Sequence, residues 1–277
     1  MKFDALGLLT HNQLKITRQT VDIPYLPSGF EGFRIVQISD LHIYQHTDWQ
    51  FYERVTQTVN DLNPDWLVLT GDIIHYGPHY VDAAGVFLKT LNATHGKYAC
   101  MGNHDYYDES GGERIKAMLV DSGFEVLVNS AQPFRLENGD TIWVSGLDDI
   151  KYGRPDIPQT LSGIPEGEVP HVMLSHHPIT VDPVAYFPEK QTHLMLSGHT
   201  HAGHLYFPFL NPFYRSFFKL KYRYGRYRVK NTELYLTSGL GSAAVYYYGK
   251  DFSMACPRFR FNTWPEIVEI TLKLSGH

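Results

Sequence analysis

RIVQISDLHIYQHTDWQFYERVTQTVNDLNPDWLVLTGDI, residues 34–73, reads as strand, helix, strand. RIVQIS (34–39) is a short apolar run rich in β-branched residues, which marks a strand. Asp48 is placed to cap a helix reaching about Leu62. Trp49, Tyr52, Val55 and Val59 recur at helical spacing, and Pro64 stands beyond the end. WLVLT (66–70) is the next strand. Working outward, residues 79–92 read as a helix with Val81, Phe87, Leu88 and Leu91 on one face. KYACM (97–101) reads as a strand, and 112–122 as a helix stopped by Gly123. FRLENGDTIWVSGL (134–147) carries a hairpin signal at Asn138-Gly139. HVMLS (171–175), HLMLS (193–197), ELYLTS (233–238) and EIVEITLKL (266–274) are further strands. A βαβα half followed by a strand-rich half predicts an α/β (α+β) fold with two packed sheets.

The composition agrees with one folded domain over residues 1–277. Hydrophobic residues make up 43% and charged residues 19%. A net charge of −5 argues against a stable nucleic-acid partner. Two cysteines, Cys100 and Cys256, exclude a disulfide-built scaffold and a multi-cysteine zinc module. No apolar run has transmembrane length, and MKFDALGLLTHNQ lacks the pattern of a secretory signal. A cytoplasmic location is therefore expected.

Five polar clusters each follow a predicted strand: Asp40-Leu41-His42, Gly71-Asp72, Gly102-Asn103-His104-Asp105, His176-His177-Pro178 and Gly198-His199-Thr200-His201. Open α/β sheets bind ligands beyond the carboxyl ends of their strands. Carboxylate, imidazole and amide donors without thiolate suit hard or borderline cations. Asp40/His42 and His199/His201 are spaced i, i+2. On a backbone that stays extended, this spacing points both side chains of a pair the same way.

D-x-H, G-D, G-N-H-D, H-x-P and G-H-T-H, in that order, resemble the signature of the calcineurin-like metallophosphoesterases. The resemblance spans residues 34 to about 245 and implies a four-layer sandwich of two mixed β-sheets flanked by helices. It also implies a centre of two divalent ions (Mn²⁺, Fe or Zn²⁺). Asp40, His42 and His201 would hold one ion, Asn103, His176 and His199 the other, and Asp72 would bridge them. His177 is the alternative to His176. His104 would not be a ligand; it would serve the leaving oxygen as general acid. Two divalent ions against two carboxylates leave net positive charge, which suits a phosphoester substrate.

The Ser/Thr protein phosphatases of this family usually carry G-D-x-x-D-R-G, whereas this chain has Gly71-Asp72-Ile73-Ile74-His75-Tyr76-Gly77. His75 is expected in a supporting or surface position. Residues 204–230 interleave aromatics with bases, and the seven bases from Arg215 to Lys230 have no acid between them. This segment predicts peripheral contact with a membrane or another anionic, partly apolar target. G-H-T-H-A-G-H, L-x-F-P, L-Y-L-T-S-G-L-G and Pro265-Glu266-Ile267 are similar to one bacterial branch of membrane-associated phosphodiesterases. That branch includes enzymes that cleave the pyrophosphate of UDP-diacylglucosamine. It usually has Gly where Ala202 stands and Arg-Gly where Ser238-Gly239 stands. The resemblance implies hydrolysis of a phosphodiester or pyrophosphate, with a lipid-linked or nucleotide-linked substrate. A nuclease, a cyclic-nucleotide phosphodiesterase and a non-catalytic binding module are the alternatives.

Overall fold

The computed structural model describes residues 13–76, 78–107, 110–187, 190–203, 221–241, 260 and 262–275, with backbone alone at 246–249 and 252–255. Strands β1 (Lys15–Ile23), β2 (Arg34–Ile38), β3 (Trp66–Thr70), β4 (Gly96–Cys100), β5 (Glu125–Val126) and β14 (Glu266–Leu274) form one sheet, ordered β1-β14-β2-β3-β4-β5. Strands β2 to β5 run parallel, β14 is antiparallel to β2, and β1 is parallel to β14. The second sheet contains β6 (Ser130–Arg135), β7 (Thr141–Gly146), β8 (His171–Leu174), β9 (Leu194–Ser197), β10 (Gly225–Val229) and β11 (Thr232–Leu236). Its order is β10-β11-β9-β8-β7-β6, also mixed. A separate hairpin pairs β12 (Tyr246–Gly249) with β13 (Phe252–Ala255).

Alternation along the strands creates the layers. In β3, Trp66 and Val68 face the second sheet, while Leu67 and Leu69 face the helices. In β8 and β9, Val172, Leu174, Leu194 and Leu196 turn toward the first sheet, and Met173 and Met195 turn outward. Helices α1 (Trp49–Leu62), α2 (Val81–Lys89) and α3 (Glu113–Asp121) cover the first sheet with Val55, Val59, Ala84, Leu88, Ile115 and Leu119. The shorter α4 (Ile157–Ser162) and α5 (Val181–Val184) cover the second with Leu161, Val181 and Val184. Strands buried on both faces explain the continuous apolar runs in the sequence. The expected four-layer sandwich is the observed one.

The start of α1 is set by Asp48, whose Oδ1 accepts the Phe51 N–H at 3.2 Å. Its end is set by Asn63 in the left-handed region at φ 45°. One polar side chain crosses the inter-sheet core. Gln37 is buried in β2, and its Nε2 donates to Thr70 Oγ1 at 2.9 Å and to the Ser197 carbonyl at 3.0 Å. It joins the two sheets just below the carboxyl ends of β3 and β9.

Away from those ends, His171 is fully buried at the start of β8. It sits between Ser145 Oγ (2.7 Å) and Thr192 Oγ1 (3.2 Å). Burial holds His171 down to about 3, and burial also holds its neighbour His193 down to about 4. Both are neutral in the folded state, and the unfolded chain takes up their protons below about 6.5. Stability is full above that pH and falls as the pH drops toward the folded values. Between pH 6.5 and 5 we expect a loss of about 2 kcal/mol for each histidine. Urea unfolding of chelator-treated protein over that range checks this, and His171→Gln should flatten the dependence.

Candidate metal centre

Asp40 and His42 leave the end of β2, Asp72 follows β3, and Asn103 and His104 follow β4. His176 and His177 follow β8, and His199 and His201 follow β9. The two sheets therefore deliver all of the expected residues to one rim. The means differs from the expectation for the i, i+2 pairs, because the backbone does not stay extended. Asp40 (φ 53°), His42 (φ 47°), Asp72 (φ 57°), His199 (φ 75°) and His201 (φ 49°) all lie in the left-handed region. Such conformations cost about 1–3 kcal/mol each and persist only where the surroundings impose them. Here the ligand turns brace one another. The Asp40 N–H donates to the Gly71 carbonyl at 2.9 Å, and the His42 N–H to the Asp72 carbonyl at 3.0 Å. Ala202 shares the conformation (φ 52°), which accounts for the glycine usual in the resembling branch. At Gly102 and Gly198 the requirement is space: an added Cβ would overlap Asp72 Oδ1 and Asp40 Oδ2, respectively.

The side chains converge. His42 Nε2 and His201 Nε2 are 2.9 Å apart, and Asp40 Oδ1 is 3.3 Å from His201 Nε2. Asp72 Oδ2 lies 3.6 Å from His42 Nε2 and 3.2 Å from His176 Nε2. Asp40/His42/His201, Asp40/Asp72/His176 and His176/His177/His199 each bring their donor atoms within 4.8 Å of one another, a spacing that can hold a metal ion. A fourth such group is His42/His75/His104.

The charge balance of this cluster calls for a cation. Burial lifts Asp40 to about 6. Burial would lift Asp72 as well, but His176 and then His104 hold it below the usual carboxylate range. Burial opposes charge on His176, yet Asp72 outweighs it and raises that imidazole to about 10. His176 Nδ1 donates to the Thr70 carbonyl at 2.7 Å, so its Nε2 meets Asp72 Oδ2 either as a protonated N–H or, deprotonated, as a lone pair across a bound cation. Asn103 Oδ1, His176 Nε2 and His199 Nδ1 are buried and have no hydrogen-bond partner among the described residues. Asn103 Oδ1 and His199 Nδ1, joined by His176 Nε2 once it is deprotonated, match the donor chemistry of a divalent ion.

The carboxylates are held from behind. Ser39 Oγ donates to Asp40 Oδ2 at 2.6 Å, and the His199 N–H reaches Asp40 Oδ1 at 3.0 Å. The His104 N–H donates to Asp72 Oδ1 at 2.8 Å. Its ring Nδ1 donates to the His75 carbonyl at 2.6 Å, which leaves Nε2 for the site. His75 is buried, not on the surface, and stacks on His104 with centroids 5.2 Å apart.

Three further groups support the cluster, and Asp105 among them stands inside the Gly102-Asn103-His104-Asp105 motif, where the sequence gives it no role of its own. Asp105 accepts the N–H groups of Asp72 (2.9 Å), Ile73 (2.8 Å) and Gly102 (2.8 Å), locking two ligand turns together. Asp149, which follows a predicted strand and reads in the sequence as a turn residue or, alternatively, a supporting carboxylate, is buried, with Oδ2 3.0 Å from His177 Nε2. Arg260 is fully buried. Its Nη2 donates to the carbonyls of Ser238 (2.8 Å), Gly239 (3.1 Å) and Gly241, and lies 3.4 Å from His201 Nδ1. An arginine in a basic stretch gives no hint of such burial.

Residues 204–220 of the basic aromatic segment lie outside the described residues. Several described bases have partners that are distant in sequence or across a hairpin. Lys221 pairs with Asp182 at 2.7 Å, and Arg226 and Arg228 pair with Glu233 at 2.9 and 3.2 Å. On the β10–β11 hairpin one carboxylate, Glu233, is thus shared by two arginines, and Asp182 on α5 takes up Lys221, so part of the positive charge that stands out in the linear sequence is paired. Among the described residues no helix is long and apolar enough to cross a membrane.

The family model for calcineurin-like phosphoesterases matches residues 33–203. The chain is 33% identical to the uncharacterized metallophosphoesterase YkuE of Bacillus subtilis, over 96% of this chain and 87% of that protein. It is 28% identical to the UDP-2,3-diacylglucosamine pyrophosphatase LpxG of Chlamydia muridarum, over 72% of this chain and 73% of the relative. A transmembrane protein with a metallophosphoesterase domain from Danio rerio is 32% identical over 94% of this chain, which spans 57% of that protein. With the ligand motifs gathered at one rim of a two-sheet sandwich, the chain belongs to the calcineurin-like phosphoesterase family of hydrolases.

Proposed function

We propose that this protein hydrolyses a phosphodiester or pyrophosphate bond in a lipid-linked or nucleotide-linked substrate, using two divalent ions. The observation that carries the reading is the convergence of buried groups able to hold a cation: Asp72 and His176 meet at 3.2 Å, and Asn103 Oδ1 and His199 Nδ1 beside them have no hydrogen-bond partner among the described residues. Asp40, His42 and His201 are assigned to one ion and Asn103, His176 and His199 to the other, with Asp72 between them. A pair of divalent ions supplies Lewis acidity and lowers the pKa of water to about 7. The chain's own contribution is orientation. Asp105 and the glycine contacts fix the carboxylates, and the His75 carbonyl sets the His104 tautomer. With Nδ1–H committed, protonated His104 donates from Nε2 to the departing oxygen.

The similarity to LpxG supports a pyrophosphate in a lipid-linked nucleotide as the natural substrate class. A cytoplasmic position with peripheral membrane contact belongs to the same proposal, the contact resting on the basic aromatic sequence of residues 204–230. Purified protein should contain about two equivalents of Mn, Fe or Zn by elemental analysis. Chelation should abolish diester hydrolysis and added Mn²⁺ should restore it. Undiminished turnover by metal-free protein would refute the assignment.

His104→Gln is expected to keep its metal and lose about 10²–10⁴-fold in kcat. Wild-type turnover by the metal-replete variant would remove that role. His176 is preferred to His177 as ligand because its Nε2 faces Asp72 at 3.2 Å, whereas His177 Nε2 faces Asp149 at 3.0 Å. Accordingly, His176→Ala should retain about one equivalent of metal, while His177→Gln should retain both. The reverse pattern in metal analysis would exchange the two.

A further inference from the structure

The wall beside His104 is aromatic. The Tyr107 ring meets the His104 imidazole near edge-on, with centroids 4.6 Å apart; Tyr152 meets Tyr107 at 5.0 Å and Tyr76 meets it at 5.8 Å. Tyr152 is 49% exposed and Tyr76 is 69% exposed. Burial first, and then Tyr152 beside it, push the Tyr107 phenol up to about 12 while Asn103 works the other way, so the cluster adjoins the candidate centre. Lys151 Nζ lies 5.1 Å from the Tyr152 ring centroid, placing a cation at the outer edge. Neighbouring rings left open to water beside a phosphate-binding site lose apolar hydration cost only when something flat covers them.

We propose that Tyr76, Tyr107 and Tyr152 form a subsite that stacks the nucleobase of a substrate whose phosphate lies over the metal-binding cluster. This rests on the phosphoesterase reading of that cluster. A base fits better than an acyl chain for two reasons. The exposed Tyr76 and Tyr152 rings are tilted against Tyr107 by 48° and 75°, so each offers a separate face, and the phenols and the Lys151 ammonium supply groups that can pair with the polar edge of a base or a ribose. A hydrocarbon chain would leave those groups without partners. Stacking on tyrosine tolerates any base, because every base has a π face.

The test is equilibrium binding of uridine monophosphate, adenosine monophosphate and ribose 5-phosphate to the metal-loaded full chain. Each nucleotide should bind at least about fivefold tighter than the base-free sugar phosphate. Tyr152→Ala and Tyr76→Ala, both at exposed positions, should erase most of that margin and leave ribose 5-phosphate unchanged. Tyr152→Phe should keep it. Equal affinity for base-bearing and base-free ligands overturns the subsite. So does a variant that weakens both equally, or one that instead loses affinity for a lysophosphatidic acid. Hydrolysis of a base-free glycerophosphodiester is measured in parallel. If hydrolysis of both this diester and a nucleotide-bearing phosphodiester fails while base-dependent binding persists, the phosphoesterase reading falls and the stacking shelf stands. Hydrolysis without base discrimination removes the shelf alone.

Discussion

A buried carboxylate and a buried imidazole meet at the centre of this molecule. Asp72 Oδ2 and His176 Nε2 point at each other across 3.2 Å in a buried setting, with the other His176 nitrogen committed to a backbone carbonyl. Such an arrangement is tolerable only with a proton or a cation between the atoms. The surroundings maintain it. Left-handed turns at Asp40, His42, Asp72, His199 and His201 aim the side chains inward, and neighbouring chain segments satisfy the turned backbone. Strain is concentrated at the candidate ligands, and the regular strands beneath provide the rigidity that holds it.

The last strand contributes as much to this rigidity as the motif-bearing ones. Glu266, fully buried at the start of β14, accepts from Tyr224 (2.6 Å), Thr17, Thr237 Oγ1 (3.0 Å) and the Ser238 N–H (3.1 Å). Arg260 gathers the carbonyls of the following turn. Within that turn, the Gly241 N–H donates to the Asp40 carbonyl at 2.7 Å and the Leu240 N–H to the Ser39 carbonyl at 2.9 Å. The C-terminal region thereby fastens the strand end that presents Asp40. A buried cation beside that end also offsets part of its negative charge.

Much of this was legible because local signals and global fold agree. Doubly buried strands such as WLVLT and HVMLS announce themselves by composition, and the ligand motifs follow them directly. Strand β1 was not legible. KITRQTVDI lies at a sheet edge, is largely exposed and lacks an apolar run. The left-handed ligand turns were hidden for a different reason: Asp and His carry no marker of positive φ of the kind glycine provides. The burial of Arg260, Asp149 and His75 depends on partners far away in sequence, as does the pairing of Arg226 and Arg228 with Glu233. A linear reading sees a run of bases; the hairpin sees closed ion pairs.

The division of the candidate ligands between the sheets has one more consequence. Asp40, His42, Asp72 and Asn103 ride on the first sheet, and His176, His199 and His201 on the second, with Gln37 as a polar rivet between them. Neither half of the chain owns a complete coordination shell. Ions bound at the seam would clasp the two leaves and resist their shear, so capture of metal would double as a checkpoint on correct assembly of the sandwich.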